Sequence, residues 1–484
     1  MSLAVRRACL ALVAVLVAEA VWILAVPPFR GSDEVDHAFR AAGAATGQLY
    51  LGEGTAQGRG HLVWVPTDLV EAAAPQCESL VYVGYANCHA IQTAGDRSRV
   101  ATGAGDYDPT FYLIVGTVAR PFHGAAFDYA LRVTNAVLCA LLLALGVGLM
   151  TLAGTGRWAN LGVVAALTPE VLFSGAIPGP NGVEMGVGFV LWAALLAAVR
   201  QDSITTQRRL LLVAGAAAVP LTFIRFVGPL WVLLIVGSVC LTLGYRSVRD
   251  LVGRQRRVVT GVAVAVALGV LWCAAWVVLN GRATGVEPDV DTKKWILAFN
   301  LPAYILQMIG AFPYRDIPAP LGVYPLALFV IVLMVGAAWR KGPSARQRAA
   351  VWWIAVITLL VPVVLSLVLM PSKGAVWQGR YELPFVIGVL PLCGLLLDEA
   401  GFAPVEGRRL VTLSGIALVI THVLCPVHVE RLELDRPVSV ADPAWWHPPA
   451  VVLGLLMLVA CALAARLLPV RAPDGAVERE LVRG

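Results

Sequence analysis

The sequence is poor in charge. Of its 484 residues only 14% are Asp, Glu, Lys or Arg, while 58% are hydrophobic. A soluble domain carries about a quarter charged residues, so this chain cannot cover a water-facing surface of its size. It also lacks the short alternating segments of a membrane β-barrel. It has no phosphate-binding glycine-rich loop, which argues against ATP-driven chemistry. No internal repeat is visible. Histidine is scarce, seven in all, and no spacing among His37, His61, His89, His123, His422, His428 and His447 makes a metal site. Arginine greatly outnumbers lysine, and Ala, Val, Leu and Gly dominate, a composition that suits a high-GC bacterial genome. The net charge of +6 is spread over short loops between apolar runs, so no nucleic-acid partner is expected.

What the chain has is long apolar runs. About 20 residues of helix cross the core of a bilayer, and helices pair every backbone group within the segment, as lipid demands. The first run follows Arg6-Arg7 and ends at Val26. Ala18-Glu19-Ala20 resembles a signal-peptide cleavage site, but the length of the run and the parity of the others favour a retained helix. The remaining runs centre near residues 141, 168, 191, 216, 235, 268, 330, 359, 390, 417 and 458. Loops carrying Arg157, Arg200, Arg208–Arg209, Arg246–Arg257, Arg340–Arg348 and Arg408–Arg409 alternate with acidic, His-rich and Trp-rich loops. By the positive-inside rule the first set is cytoplasmic. The expectation is a single polytopic all-α domain over residues 1–484. It has about twelve transmembrane helices in the cytoplasmic membrane and both termini in the cytoplasm.

Three outer loops stand out, at residues 27–128, 281–320 and 426–449. The first is too long for a simple connector. Within it, Glu34 to Ala45 and Phe111 to Ala119 read as helices on the membrane surface. In the second, Lys294 to Phe312 reads as a helix along the interface. The third ends in Trp445-Trp446-His447, an interfacial aromatic anchor. Seven of the nine cysteines lie in apolar runs and read as small hydrophobes. Cys77 and Cys88 lie in the first outer loop, where a disulfide and two free thiols are both open readings.

Four constellations bear chemistry. Pro27-Pro28 ends the first helix, and Asp33, Glu34, Asp36, His37 and Arg40 follow at once. In a helix starting at Glu34, with Ser32 as its N-cap, Asp33, Asp36, His37 and Arg40 share a face. This face reads as a general base with its substrate contacts, or as a solvated helix start. Ser174 to Glu184 forms a tight Pro/Gly turn that sets Asn181 and Glu184 at the mouth of the bundle. Arg225 sits between two apolar runs. Arg380 sits in Trp377-Gln378-Gly379-Arg380-Tyr381-Glu382. An arginine among apolar residues is costly and marks a site, and its fork suits phosphate. Snorkelling to headgroups is the other reading.

The chain resembles the bacterial polytopic family catalogued as domain of unknown function 2142. The carriers are Pro27-Pro28-Phe29, Asp33-Glu34 with His37 and Arg40, Tyr107 to Tyr112, Arg132 with Asn135, Pro178 to Glu184, and Gln378 to Tyr381. That family is similar in layout to GT-C glycosyltransferases, which carry an acidic motif in the first outer loop. The resemblance implies a GT-C-like fold and transfer of a sugar from a polyprenyl-phosphate carrier to an envelope glycan or glycolipid acceptor. It implies Asp33 as general base and Glu34 as orienting group. Arg380 and Arg225 would bind the donor phosphate, with His37, Arg40, Asn181, Glu184, Gln378 and Tyr381 as further contacts. A divalent cation, Mg or Mn, bridging Asp33 and the phosphate is the alternative to arginine. A transporter or flippase of a lipid-linked glycan, or a non-catalytic envelope assembly protein, would share the membrane bundle.

Overall fold

The computed structural model describes residues 2–80, 84–280, 293–373, 377–405 and 407–468. It is a helical bundle with one small mixed subdomain on top. Among the described residues, nine helices are long and apolar enough to cross a bilayer, or eleven if each of two bent pairs is one span. Every apolar run read from the sequence is helical. The expected twelfth span, Ala450–Ala465, has only 16 residues, short of the about 20 that a crossing takes. The bent pairs are Arg157–Ala166 with Pro169–Ala176 and Gly228–Leu243 with Tyr245–Arg254. Pro169 explains the first bend, because proline removes a helix donor and restricts the residue before it.

Helix α1 (Leu3–Ala25) packs on Gly124–Ala153 and on Ala450–Ala465. The helix Pro180–Ala198 packs on Gly124–Ala153 and on Ile204–Ile224. A large contiguous core that includes Trp22, Trp158, Phe173, Phe189, Trp192 and Trp231 runs through these helices and the two bent pairs. One glycine sets a close approach that the site needs. A Cβ on Gly188 would stand 2.4 Å from the carbonyl oxygen of Pro384, so only glycine lets the Gln378–Pro384 turn dock on this helix.

The first loop is not purely helical, a correction to the all-α expectation. Helix α2 (Glu34–Ala45) forms as expected, and Pro109–Ala119 covers the expected second helix. Between them β1 (His61–Pro66), β2 (Gln92–Ala94) and β3 (Arg97–Thr102) make an antiparallel sheet in the order β1-β3-β2. In the register His61 faces Thr102 and Pro66 faces Arg97. Val63, Val65 and Val100 turn inward against Phe39 and Ala42 of α2. The strands are short and half polar, so their pattern is faint against the apolar runs around them. Helix α3 (Thr67–Glu78) carries Cys77, which is bonded to Cys88.

The other two loops also differ from expectation. The helix Lys293–Ile309 matches the segment foreseen in the second loop. The chain then pairs Ala311–Phe312 with Ile317–Pro318 as a small hairpin. Asp289 and Asp291 lie outside the described residues. The third loop is shorter than read, because the helix Gly407–Leu434 continues through Pro426. Buried Glu433 holds that extension in place through Arg30, at 2.9 Å. Trp445 is no free anchor: it is buried and donates to the carbonyl of Leu24 at 3.1 Å.

Candidate active site

The site forms where α1 ends and α2 begins. Three non-glycine residues among those described have positive φ: Phe29, Asp33 and Arg315. Asp33 stands at φ 55°, the left-handed region that Asp tolerates better than most residues. It takes the N-cap position of α2 without a side-chain cap bond. Ser32, the expected cap, instead donates its hydroxyl to the carbonyl of Pro313. The turn is closed by Glu34, whose Oε2 accepts from the amide of Gly31 at 2.6 Å. The Asp33 carboxylate is therefore turned away from its own helix.

That carboxylate meets Arg380 Nη2 at 3.1 Å and Arg59 Nη2 at 3.5 Å. Arg59 also pairs with Asp36. The Asp33 side chain keeps 28% of its surface exposed, while Arg380 keeps 5%. Burial pushes the Asp33 carboxyl upward, but Arg380 and Arg59, with His37 and Arg315, outweigh it and hold it below the usual range. Asp36 moves the other way. Its burial, aided by Asp33, outweighs Arg59 and its hydrogen bond from Gly103. Two neighbouring carboxylates thus have their proton affinities pushed apart, a pattern of acid–base sites.

Arg380 and Arg225 flank one aromatic ring. Their guanidinium carbons stand 5.4 and 4.1 Å from the centre of the Tyr381 ring. Tyr107 lies on another side of Arg225, with its ring centre 5.7 Å away. Arg225 Nη1 donates to Asn181 at 2.7 Å and pairs with Glu184 at 3.4 Å. The Nε of each arginine is buried and has no acceptor among the described residues. Buried donors without acceptors cost free energy unless a ligand takes them. The turn bearing Arg380 is held because the amide of Gly379 donates to Gln307 at 2.8 Å. Gln378 is buried beside it, and its Oε1 has no donor among the described residues.

His37 lies on α2 with Nδ1 2.9 Å from the Tyr112 hydroxyl. It packs against Gly179, in the turn that carries Asn181. Burial depresses its pKa to about 4, with Arg380 and Arg225 adding to the effect and Asp33 opposing it. His37 is a neutral imidazole at pH 7.

The structure therefore brings Asp33, His37, Asn181, Glu184, Arg225, Gln378, Arg380 and Tyr381 to one end of the bundle. Glu34 and Arg40 point elsewhere. Glu34 is fully buried and binds Arg132 through both carboxylate oxygens, each at 2.7 Å. Arg132 also donates to the carbonyl of Val26 at 2.7 Å, tying the end of α1 to this pair. Arg40 donates to the carbonyls of Gln48 and Leu49 at 2.8 and 2.7 Å, which closes the end of α2. Arg59, Arg315 and Tyr107 join the site without being foreseen as its members. Arg59 lies in a polar glycine-rich loop where one arginine carries no special signal.

No three His, Cys, Asp or Glu side chains among the described residues converge as a metal site would require. Asp33 and Asp36 are each met by a guanidinium. The donor set fits an arginine-held anion better than a divalent cation, which prefers several oxygen ligands.

No curated protein matches the chain. Two solved structures do, both of ArnT from Cupriavidus metallidurans. The apo form is 15% identical with a TM-score of 0.46, covering 94% of this chain and 76% of that one. The form bound to undecaprenyl phosphate is 14% identical with a TM-score of 0.47, covering 94% of this chain and 77% of that one. A family model described as "Predicted membrane protein (DUF2142)" matches residues 16–389. That span is well over half of the chain, and the protein belongs to this family of multi-pass integral membrane proteins.

Proposed function

We propose that the protein is a glycosyltransferase of the GT-C type. It moves a sugar from a polyprenyl-phosphate carrier to a hydroxyl of an envelope glycan or glycolipid at the outer face of the cytoplasmic membrane. The observation that carries this reading is the pair of buried arginines on Tyr381, each with an Nε that has no acceptor among the described residues, beside the partly exposed Asp33 carboxylate. Two like charges on one ring repel, and a phosphate between them relieves that repulsion.

The carrier phosphate takes its place against Arg380 and Arg225. Arg380 then shares its guanidinium with the phosphate, and Asp33 is released as a base. The acceptor hydroxyl gives its proton to Asp33 as its oxygen attacks the anomeric carbon. The bond from that carbon to the phosphate oxygen breaks, and the electron pair leaves with the carrier phosphate. Arg380 and Arg225 stabilise the charge that develops there. Glu184 and Asn181 hold Arg225 in position, and neutral His37 with Tyr112 shapes the wall. Glu34 serves the scaffold, locking the end of α1 to Arg132.

The test is reconstitution in liposomes with a polyprenyl-phosphate-linked sugar and a hydroxyl acceptor. Asp33→Asn keeps the shape and removes the base, so product formation should fall about 10²–10⁴-fold with carrier binding retained. Unchanged product from a folded Asp33→Asn protein would overturn the mechanism.

A further inference from the structure

A second feature lies at the opposite end of the bundle from Asp33. A cleft of about 1010 Å³ opens between α1, Arg157–Ala166, Gly407–Leu434 and Ala450–Ala465. Its floor is made of small side chains, among them Ala11, Ala14, Ala18 and Ala460. One wall runs from Arg408 to His422, about 21 Å of helix at about 1.5 Å per residue. That matches the reach of one extended acyl chain. Its rim faces lipid, since Ile416 is 51% exposed.

The cleft is mostly apolar: Arg157 and Arg408 line one end, Thr412 lines the wall, and His422 at the other end has its ring nitrogens 2.7 Å from the carbonyls of Leu418 and Leu167. The Arg157 guanidinium lies 3.6 Å from the place a Cβ would take on Gly407, the residue before Arg408. The nearby acid, Asp398, caps the amides of Trp158 and Ala159 at 3.1 and 2.8 Å. Arg7, at the same end, is spent on Asn160 and on the carbonyl of Leu467. Both cleft arginines belong to loops that the positive-inside rule places in the cytoplasm.

We propose that this cleft is a binding site for one anionic phospholipid of the cytoplasmic leaflet. Its phosphate sits between Arg157 and Arg408, and one acyl chain lies in the groove. Charge complementarity selects the headgroup, and the small-residue floor admits the chain. This site is separate from the proposed sugar-transfer centre and does not depend on it.

The test is native mass spectrometry of the full chain, purified in mild detergent and offered phosphatidylglycerol or phosphatidylcholine vesicles. One phosphatidylglycerol per protein should be retained, at least tenfold over phosphatidylcholine. Arg157→Gln with Arg408→Gln should lower that retention at least tenfold. Gly415 lines the cleft, and a Cβ there meets nothing within 4 Å, so Gly415→Trp should fold, fill the groove and displace the lipid. Equal retention of both lipids, or undiminished retention in the Gly415→Trp protein, would overturn the proposal.

Discussion

Asp33 and Arg380 lie 347 residues apart along the chain, and their side chains meet at 3.1 Å. The contact joins the exit of the first helix to a turn on the far side of the bundle. It makes one carboxylate the partner of a cation that also faces Tyr381 and Arg225.

Arg380 is the first residue to change. It helps hold the Asp33 carboxyl below its usual range, so it keeps the base ionised at low pH. Arg380→Gln removes that influence. The acid limb of the pH–rate profile should move to higher pH, and the Michaelis constant for the carrier should rise. Arg380→Lys should restore the limb more than the affinity, because lysine keeps the charge and loses the fork. A limb that stays in place in both variants would remove Asp33 as the base.

Glu34 and Arg132 form a fully buried pair, and buried Asp128 also meets Arg132, at 3.2 Å. Removing one partner from such a pair costs about 3–5 kcal/mol, because the other charge is left stranded. Glu34→Ala and Arg132→Ala should each lower the melting temperature in detergent. Replacing Glu34 and Arg132 with Leu and Met strands Asp128 unless it is neutralised as well, so adding Asp128→Asn to that double change should recover part of the loss. In Glu34→Gln, the pH–rate profile of the folded fraction should stay where it was.

His37 gives a signature in stability. Its pKa falls from about 6.5 in the unfolded chain to about 4 in the fold. Between those values the unfolded state binds the extra proton, so stability rises with pH through this window. The contribution is complete above about pH 6.5 and lost as pH drops toward 4. Thermal melts of the parent and of His37→Gln should converge or cross as pH falls through the window, and a constant gap would contradict the assignment.

The Cys77–Cys88 bond closes a short loop, with a sequence separation of 11. Closing such a loop stabilises a fold by about 2–3 kcal/mol. Cys77→Ser should therefore loosen α3 and the sheet while leaving the membrane helices in place. Limited proteolysis checks this: cleavage within residues 46–106 should speed up, and the bundle should stay intact.

Much of the membrane plan is legible in the chain because lipid imposes a simple rule. Runs of about 20 apolar residues are forced into helices, and each such run is largely helical here, two of them within bent helix pairs. The Glu34–Ala45 helix was legible from spacing, and so were Arg225 and Arg380, because a charge in an apolar setting draws notice. The sheet over residues 61–102 was not, since its short polar strands are stabilised by packing on α2 rather than by their own pattern. Nor was the division between Asp33 and Glu34. They are adjacent carboxylates, read as a base and an orienting group for one site, and the left-handed turn at Asp33 sends one to Arg380 and the other to Arg132.

Hydropathy and the scatter of arginines suffice to put this protein in a membrane and to order its helices, because burial in lipid acts on each segment separately. Which carboxylate is buried for good and which stays half open depends on contacts between segments hundreds of residues apart. Arg380 comes to Asp33, and Arg225 to Tyr381, only through packing of the whole bundle, and no local pattern encodes those meetings.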